Sequence, residues 1–255
     1  MVFSSAIFLF VFLPIVCALY FIVPGIKGKN TLLIIASLIF YAFGEPIYIL
    51  LMIGSIIANY IFGLMEGRFS KANNIAGKKI VLIIAVICNI GVLCVFKYTA
   101  FILENINYAG RLNIKIPGIA LPIGISFYTF QIMSYIIDLY RGGIKVQKNL
   151  LNLALYISFF PQLIAGPIVK YKDIDEQLQK RTVTIEKFSN GIKRFVYGLA
   201  KKVIFANTLA YIADTIFNSN IELLNMPIAW LGAICYTLQI YFDFSGYSDM
   251  AIGIA

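Results

Sequence analysis

QIYFDFSGYSDMAIGIA, residues 239–255, decides how the rest of the chain is read. The stretch continues an apolar run, yet it carries Gln239, Asp243, Ser245, Ser248 and Asp249 among aromatic residues, with Gly246 at its middle. A carboxylate near the centre of a bilayer costs about 3 kcal/mol or more, so such residues normally face a bundle interior or a watery cavity. At helical spacing Gln239, Asp243 and Tyr247 form one stripe, and Tyr241, Ser245 and Asp249 form another on a roughly opposite side. No single face hides both. Two arrangements stay open: protein surrounds the segment, or the helix breaks near Gly246 and lines a cavity.

The composition around this stretch is that of a polytopic membrane protein. Hydrophobic residues make up 60% of the chain and charged residues 13%, where soluble domains carry about a quarter charged. The net charge of +9 sits between apolar runs, where loop charge sets topology, so nucleic acid is excluded as a partner and the lipid bilayer takes its place. Cys17, Cys88, Cys94 and Cys235 lie inside apolar segments without metal-ligand spacing; they read as small buried hydrophobes, and no metal site is expected. There is no histidine. That excludes a Ser-His-Asp triad, a Cys-His pair, a zincin helix and any histidine base within these residues.

Outward from there, apolar runs alternate with short polar turns. Val2 to Val23 lacks a basic leader and is expected to be a retained first transmembrane helix. Thr31 to Phe43 and Ile47 to Leu64 are separated by Gly44, Glu45 and Pro46, where Pro46 moves Glu45 out of helix geometry. A basic loop is expected from Met65 to Lys79, then a span from Ile80 to Phe96. A mixed loop, Lys97 to Gly118, has room for a short interfacial helix at Phe101 to Tyr108. Ile119 to Tyr140 is again apolar, with Phe127, Gln131, Ser134 and Asp138 on one stripe facing the bundle. An Asp138–Arg141 ion pair is expected at its end.

Leu150 to Val169 is long enough to span but is interrupted by Pro161, Gly166 and Pro167. If it dips in and returns, every basic residue except Lys97, Arg111 and Lys115 falls on the cytoplasmic side, with the N-terminus extracytoplasmic. If it crosses, the nine from Lys170 to Lys202 join those three outside. The positive-inside rule selects the re-entrant reading. Lys187 to Lys202 is amphipathic, with Asn190, Lys193, Arg194, Tyr197 and Lys201 opposite Phe188, Ile192, Phe195, Val196 and Leu199, and is expected to lie in the cytoplasmic interface. Val203 to Phe217 then crosses outward and Met226 onward returns. The whole reads as one all-α integral-membrane domain, residues 1–255, a multi-helix bundle with re-entrant elements around an internal polar cavity.

Three stretches, SFYTFQIMSYIIDLYRG (126–142), FFPQLIAGPIVKY (159–171) and QIYFDFSGYSDMAIG (239–253), together resemble the membrane-bound O-acyltransferase family, in its bacterial alginate O-acetyltransferase-like branch. The resemblance implies an acyl group taken from a cytoplasmic thioester, acetyl-CoA or another acyl donor, with no tightly bound cofactor. It implies delivery to an extracytoplasmic polysaccharide or cell-wall polymer, aided by extracytoplasmic partner proteins, in the bacterial cytoplasmic membrane. The family's catalytic histidine lies downstream of the third motif, so it is expected beyond Ala255, and the chain is expected to be an N-terminal portion of such an enzyme, inactive by itself.

On this reading Gln239, Tyr241, Asp243, Ser245, Tyr247, Asp249, Gln131 and Gln162 are candidate walls of the substrate cavity. Lys193, Arg194, Lys201 and Lys202 are candidates for the donor entrance, meeting donor phosphates. Blander readings stand beside these: an interhelical hydrogen-bond network for the carboxylates and hydroxyls, and attraction to anionic lipid for the basic cluster. A non-catalytic membrane scaffold and a transporter or channel are the alternative functions.

Overall fold

The computed structural model describes residues 3–163, 169–219 and 225–255. Among them there are eleven α-helices and no strand. They form an all-α polytopic membrane protein, with three helices long and apolar enough to cross a bilayer. The helices fall into two compact units, one from residues 18–163 and 169–181, the other from residues 3–17 and 182–255.

The first helix, α1 (Leu13–Ile22), follows a π-helical turn at Phe8–Phe12. The wider turn has a local cause: Pro14 has no N–H to give to the carbonyl four residues back, and its ring crowds that carbonyl.

The larger unit is built on α2 (Ile26–Gly44), α3 (Ile49–Lys71), α4 (Ile75–Gly110) and α5 (Ile125–Tyr140). Its core is Met52, Ile56, Tyr128, Ile132, Tyr135 and their neighbours. The bend between α2 and α3 falls at Glu45, as Pro46 requires. Three boundaries differ from the sequence reading. The expected loop of 65–79 shrinks to a three-residue turn at 72–74, because Arg68 and Lys71 are good helix formers. Asn74 caps α4 by accepting from the Gly77 N–H at 2.8 Å. Second, α4 runs on through Lys97 and absorbs the expected interfacial helix of 101–108. Neither glycine nor proline stands between Gly91 and Gly110 to interrupt it, and its 36 residues extend about 54 Å, well beyond a hydrocarbon core of about 30 Å. Third, α5 begins at Ile125 rather than Ile119, held back by Pro122 and by Gly124, which takes φ +77°. The expected Asp138–Arg141 ion pair is not formed among the described residues. Of the cysteines only Cys235 is buried, and Cys88 is exposed on α4.

α6 (Leu150–Ser158) enters this core, stops at Phe159 and continues as the short α7 (Phe160–Leu163). Pro161 sits second in α7, where a missing N–H leaves no bond unmade. The Phe160 N–H is received by Ser37 Oγ at 3.1 Å, inside the protein. The chain then returns beside its own entry. Gln147 Nε2 donates to the Tyr171 hydroxyl at 2.6 Å, and the Tyr156 hydroxyl donates to the Val169 carbonyl at 2.9 Å. The described ends of the segment thus lie side by side, the arrangement that a re-entrant course expects. Gly166 and Pro167, expected to shape its turn, lie outside the described residues. α8 (Tyr171–Gln179), absent from the sequence reading, packs its buried Tyr171 and Leu178 inward, and Asn30 Nδ2 donates to the Leu178 carbonyl at 2.9 Å.

In the smaller unit, α9 (Ile185–Ala200), a second π-helical turn (Lys201–Ala206) and α10 (Asn207–Phe217) form one uninterrupted helical run. The expected interfacial helix of 187–202 and the crossing segment of 203–217 are thus a single element, since nothing between Lys202 and Val203 breaks a helix. α11 (Met226–Ile254) lies antiparallel to this run: Phe205 stacks on Phe242 at 5.0 Å, and Phe217 meets Tyr236 edge-on at 6.2 Å.

Candidate functional site

The site is organised by two glycine pairs. A Cβ added at Gly198 would lie 2.5 Å from the Gly246 carbonyl oxygen, and one at Gly191 would lie 2.6 Å from that of Gly253. The backbones of α9 and α11 touch there, as small residues at membrane helix interfaces permit. This close approach settles the question raised by the polar stretch. α11 does not break at Gly246; Gly246 is its line of contact, and α9 covers that side.

Asp243 and Asp249 lie three residues before and after Gly246, about 60° to either side of the contact line. Both turn back to α9 and the π turn. Asp249 Oδ1 accepts from Arg194 Nε at 3.1 Å and Oδ2 from Lys201 Nζ at 2.6 Å. Lys201 also donates to Ser245 Oγ at 3.1 Å, and Lys202 pairs with Asp243. The two stripes separated by sequence periodicity therefore meet one partner. The missing signal was the side-chain-free glycine midway between the aspartates. Arg194 and Lys201, seven residues apart, stand on one side of α9, with the π turn beginning at Lys201.

Above this network lies a cavity of about 540 Å³, lined by Asn190, Lys193, Arg194, Tyr197, Lys201 and Asp249 among others. Three cations face one carboxylate across it. The four basic candidates and Asp243, Ser245 and Asp249 are thus brought together, with Lys202 behind the cavity rather than in its wall. Tyr247 instead stacks on Phe3 at 5.0 Å, Tyr241 is 63% exposed, and the shielded Oε1 of Gln239 meets no hydrogen-bond partner among the described residues.

Gln131 and Gln162 belong to the larger unit and meet each other. Gln131 Nε2 donates to the Tyr156 carbonyl at 2.7 Å and to Gln162 Oε1 at 3.4 Å. Gln131 is buried and fastens α5 to α6. Sequence reasoning overlooked a second polar join, a reciprocal amide pair between Asn59 of α3 and Asn89 of α4, at 3.0 and 2.8 Å. Their signal was two asparagines each inside an uninterrupted apolar run.

Residues 142–255 match the membrane-bound O-acyltransferase family. Over its full length the chain is 45% identical to the probable alginate O-acetylase AlgI of Pseudomonas syringae pv. tomato, covering 49% of that protein. It is 35% identical to the peptidoglycan O-acetyltransferase of Helicobacter pylori, covering 53% of it. Over 52% of the chain it is 29% identical to the teichoic acid D-alanyltransferase of Bacillus subtilis. The chain spans about half the length of the curated relatives it matches end to end. All three motifs lie inside the end-to-end matches and the second and third inside the family match, so residues 142–255 carry membrane-bound O-acyltransferase sequence.

Proposed function

We propose that this chain is part of a membrane O-acyltransferase of the bacterial cytoplasmic membrane, moving an acetyl group from a cytoplasmic thioester to an extracytoplasmic polysaccharide or cell-wall polymer. The observation that carries the reading is the basic cavity between α9 and α11, built on the third family motif. Its surplus positive charge suits the phosphates of a coenzyme A or carrier-linked donor. The N-terminus is extracytoplasmic in this reading, which puts the basic ends of α3, α4 and α5 on the donor side. Tight cofactor binding is not required, and extracytoplasmic proteins would hand the acyl group onward.

The chain contains no histidine, so the general base of the family has no counterpart among these residues. Their contribution is the donor groove and the helix joins that shape it. A second reading is a non-catalytic scaffold subunit. One experiment separates the two. The gene is deleted, and ester-linked acetate on the surface polymer is measured with and without complementation by the gene and by its Arg194→Gln form. The acyltransferase reading expects ester loss on deletion. Unchanged ester after deletion refutes it, while loss restored equally by both forms favours the scaffold.

A further inference from the structure

We propose that the cavity between α9 and α11 is a phosphate subsite whose cations Asp249 holds as a displaceable internal counter-ion. The proposal deepens the acyltransferase reading and rests on it only for naming the donor.

Asp249 already occupies its partners in the manner of a bound oxyanion, giving one oxygen to Arg194 and the other to Lys201. The cations are not saturated by it. Arg194 uses only Nε, leaving its two terminal nitrogens without a hydrogen-bond partner among the described residues, and Lys193 makes no hydrogen bond there. Lys201 spends two of its three donors, on Asp249 and Ser245. Three positive charges against one negative leave a surplus that a single carboxylate does not neutralise. A phosphate group at neutral pH carries about 1.5 to 2 negative charges and three acceptor oxygens, and a guanidinium fork with a lysine is a recurrent way to hold it.

Asp249 is also placed to yield. Its side chain is 20% exposed and Arg194 is half exposed at the rim, so an incoming anion reaches both without opening the glycine contacts beneath. The Lys202–Asp243 pair is different. Lys202 does not line the cavity, and its pair acts as a strut that stays in place when Asp249 is displaced. Occupancy is thereby tuned from within: the carboxylate keeps the cations arranged when the site is empty and competes with the ligand when it arrives.

The test uses the whole chain in phosphatidylcholine nanodiscs, titrated calorimetrically with inorganic pyrophosphate and with coenzyme A. Asp249→Asn removes the competing charge but keeps an acceptor for Lys201, and is expected to bind both probes about tenfold more tightly. Arg194→Gln is expected to bind them about tenfold more weakly, and it decides the matter if the first variant does not fold. Equal or weaker binding by Asp249→Asn, together with unchanged binding by Arg194→Gln, overturns the proposal, as does the absence of probe binding in all forms. Nanodiscs containing phosphatidylglycerol identify the source of the phosphate. Probe binding abolished by that lipid assigns the subsite to a headgroup, and binding that survives assigns it to a soluble ligand; either supports the site. If the probes bind as expected while deletion of the gene leaves polymer acetylation unchanged, the phosphate subsite stands and the acyltransferase reading falls.

Discussion

At the residue scale the smaller unit depends on atoms that are missing. Gly246 has the Gly198 carbonyl where its Cβ would be, at 2.7 Å, with the Lys202 amide nitrogen at 3.2 Å. These neighbours are backbone and cannot swing aside, so Gly246→Ala should lower stability by about 1–3 kcal/mol through overpacking. Thermal unfolding in detergent would show it, with Gly54→Ala as the control, since nothing lies within 4 Å of a Cβ there. The Asn59–Asn89 pair makes a second case. A double-mutant cycle with Asn59→Leu and Asn89→Leu should return a coupling of about 0.5–2 kcal/mol, the range for hydrogen bonds between membrane helices; additive effects would show that the amides bond elsewhere. Polar residues were legible in the sequence as groups that demand partners, but the partners were not. Periodicity put Asp243 and Asp249 on different stripes, and only the glycine between them, invisible to a hydrophobicity count, brings both to α9.

At the element scale turns can be read where the backbone chemistry is special, while helix ends stay hidden where it is not. The Glu45–Pro46 bend, the Arg141–Gly142 stop with Gly142 at φ +73° and the interrupted α6–α7 segment were all legible from proline and glycine. The ends of α3 and α4 were missed because charged residues such as Arg68 and Lys97 mark an interface without ending a helix. The π turn at Lys201–Ala206 is another feature with no sequence signal. A π turn acts as one residue inserted into an α-helix, so deletion of Val203 should regularise the run while keeping α9 and α10 in register against α11. Deletion of Leu209, in regular helix, should instead rotate the residues beyond it by about 100° and take Ala213, fully buried, off its packing face. Thermal melts of the two deletions should therefore differ, with the Val203 deletion nearer the parent. Equal losses would mean that the π turn itself is required for packing.

At the scale of the whole molecule the question is which ends share a side of the membrane. In the larger unit Lys78 Nζ donates to the Tyr140 carbonyl at 2.9 Å, and Gln147 binds Tyr171, so the start of α4, the end of α5 and the two ends of the 150–169 segment gather together. The opposite ends gather too: the Tyr48 hydroxyl donates to the Ala120 carbonyl at 3.0 Å, and the Ile123 N–H to Glu45 at 3.2 Å. The charge count expects these same ends on one side, because lysine and arginine distribution is set by the membrane rather than by packing. Single cysteines at Lys145, Lys172 and Leu112, in a background with Cys17, Cys88, Cys94 and Cys235 replaced by serine, test it in intact cells. A membrane-impermeant maleimide should label position 112 directly and positions 145 and 172 only after permeabilisation. Labelling of 172 together with 112 would mean that residues 150–169 cross the membrane, placing the basic residues from Lys170 to Lys202, and with them the basic cavity, on the outside. Labelling of 145 and 172 but not 112 would support a re-entrant course for 150–169 and invert the molecule, so the two errors are distinguishable from one set of labels.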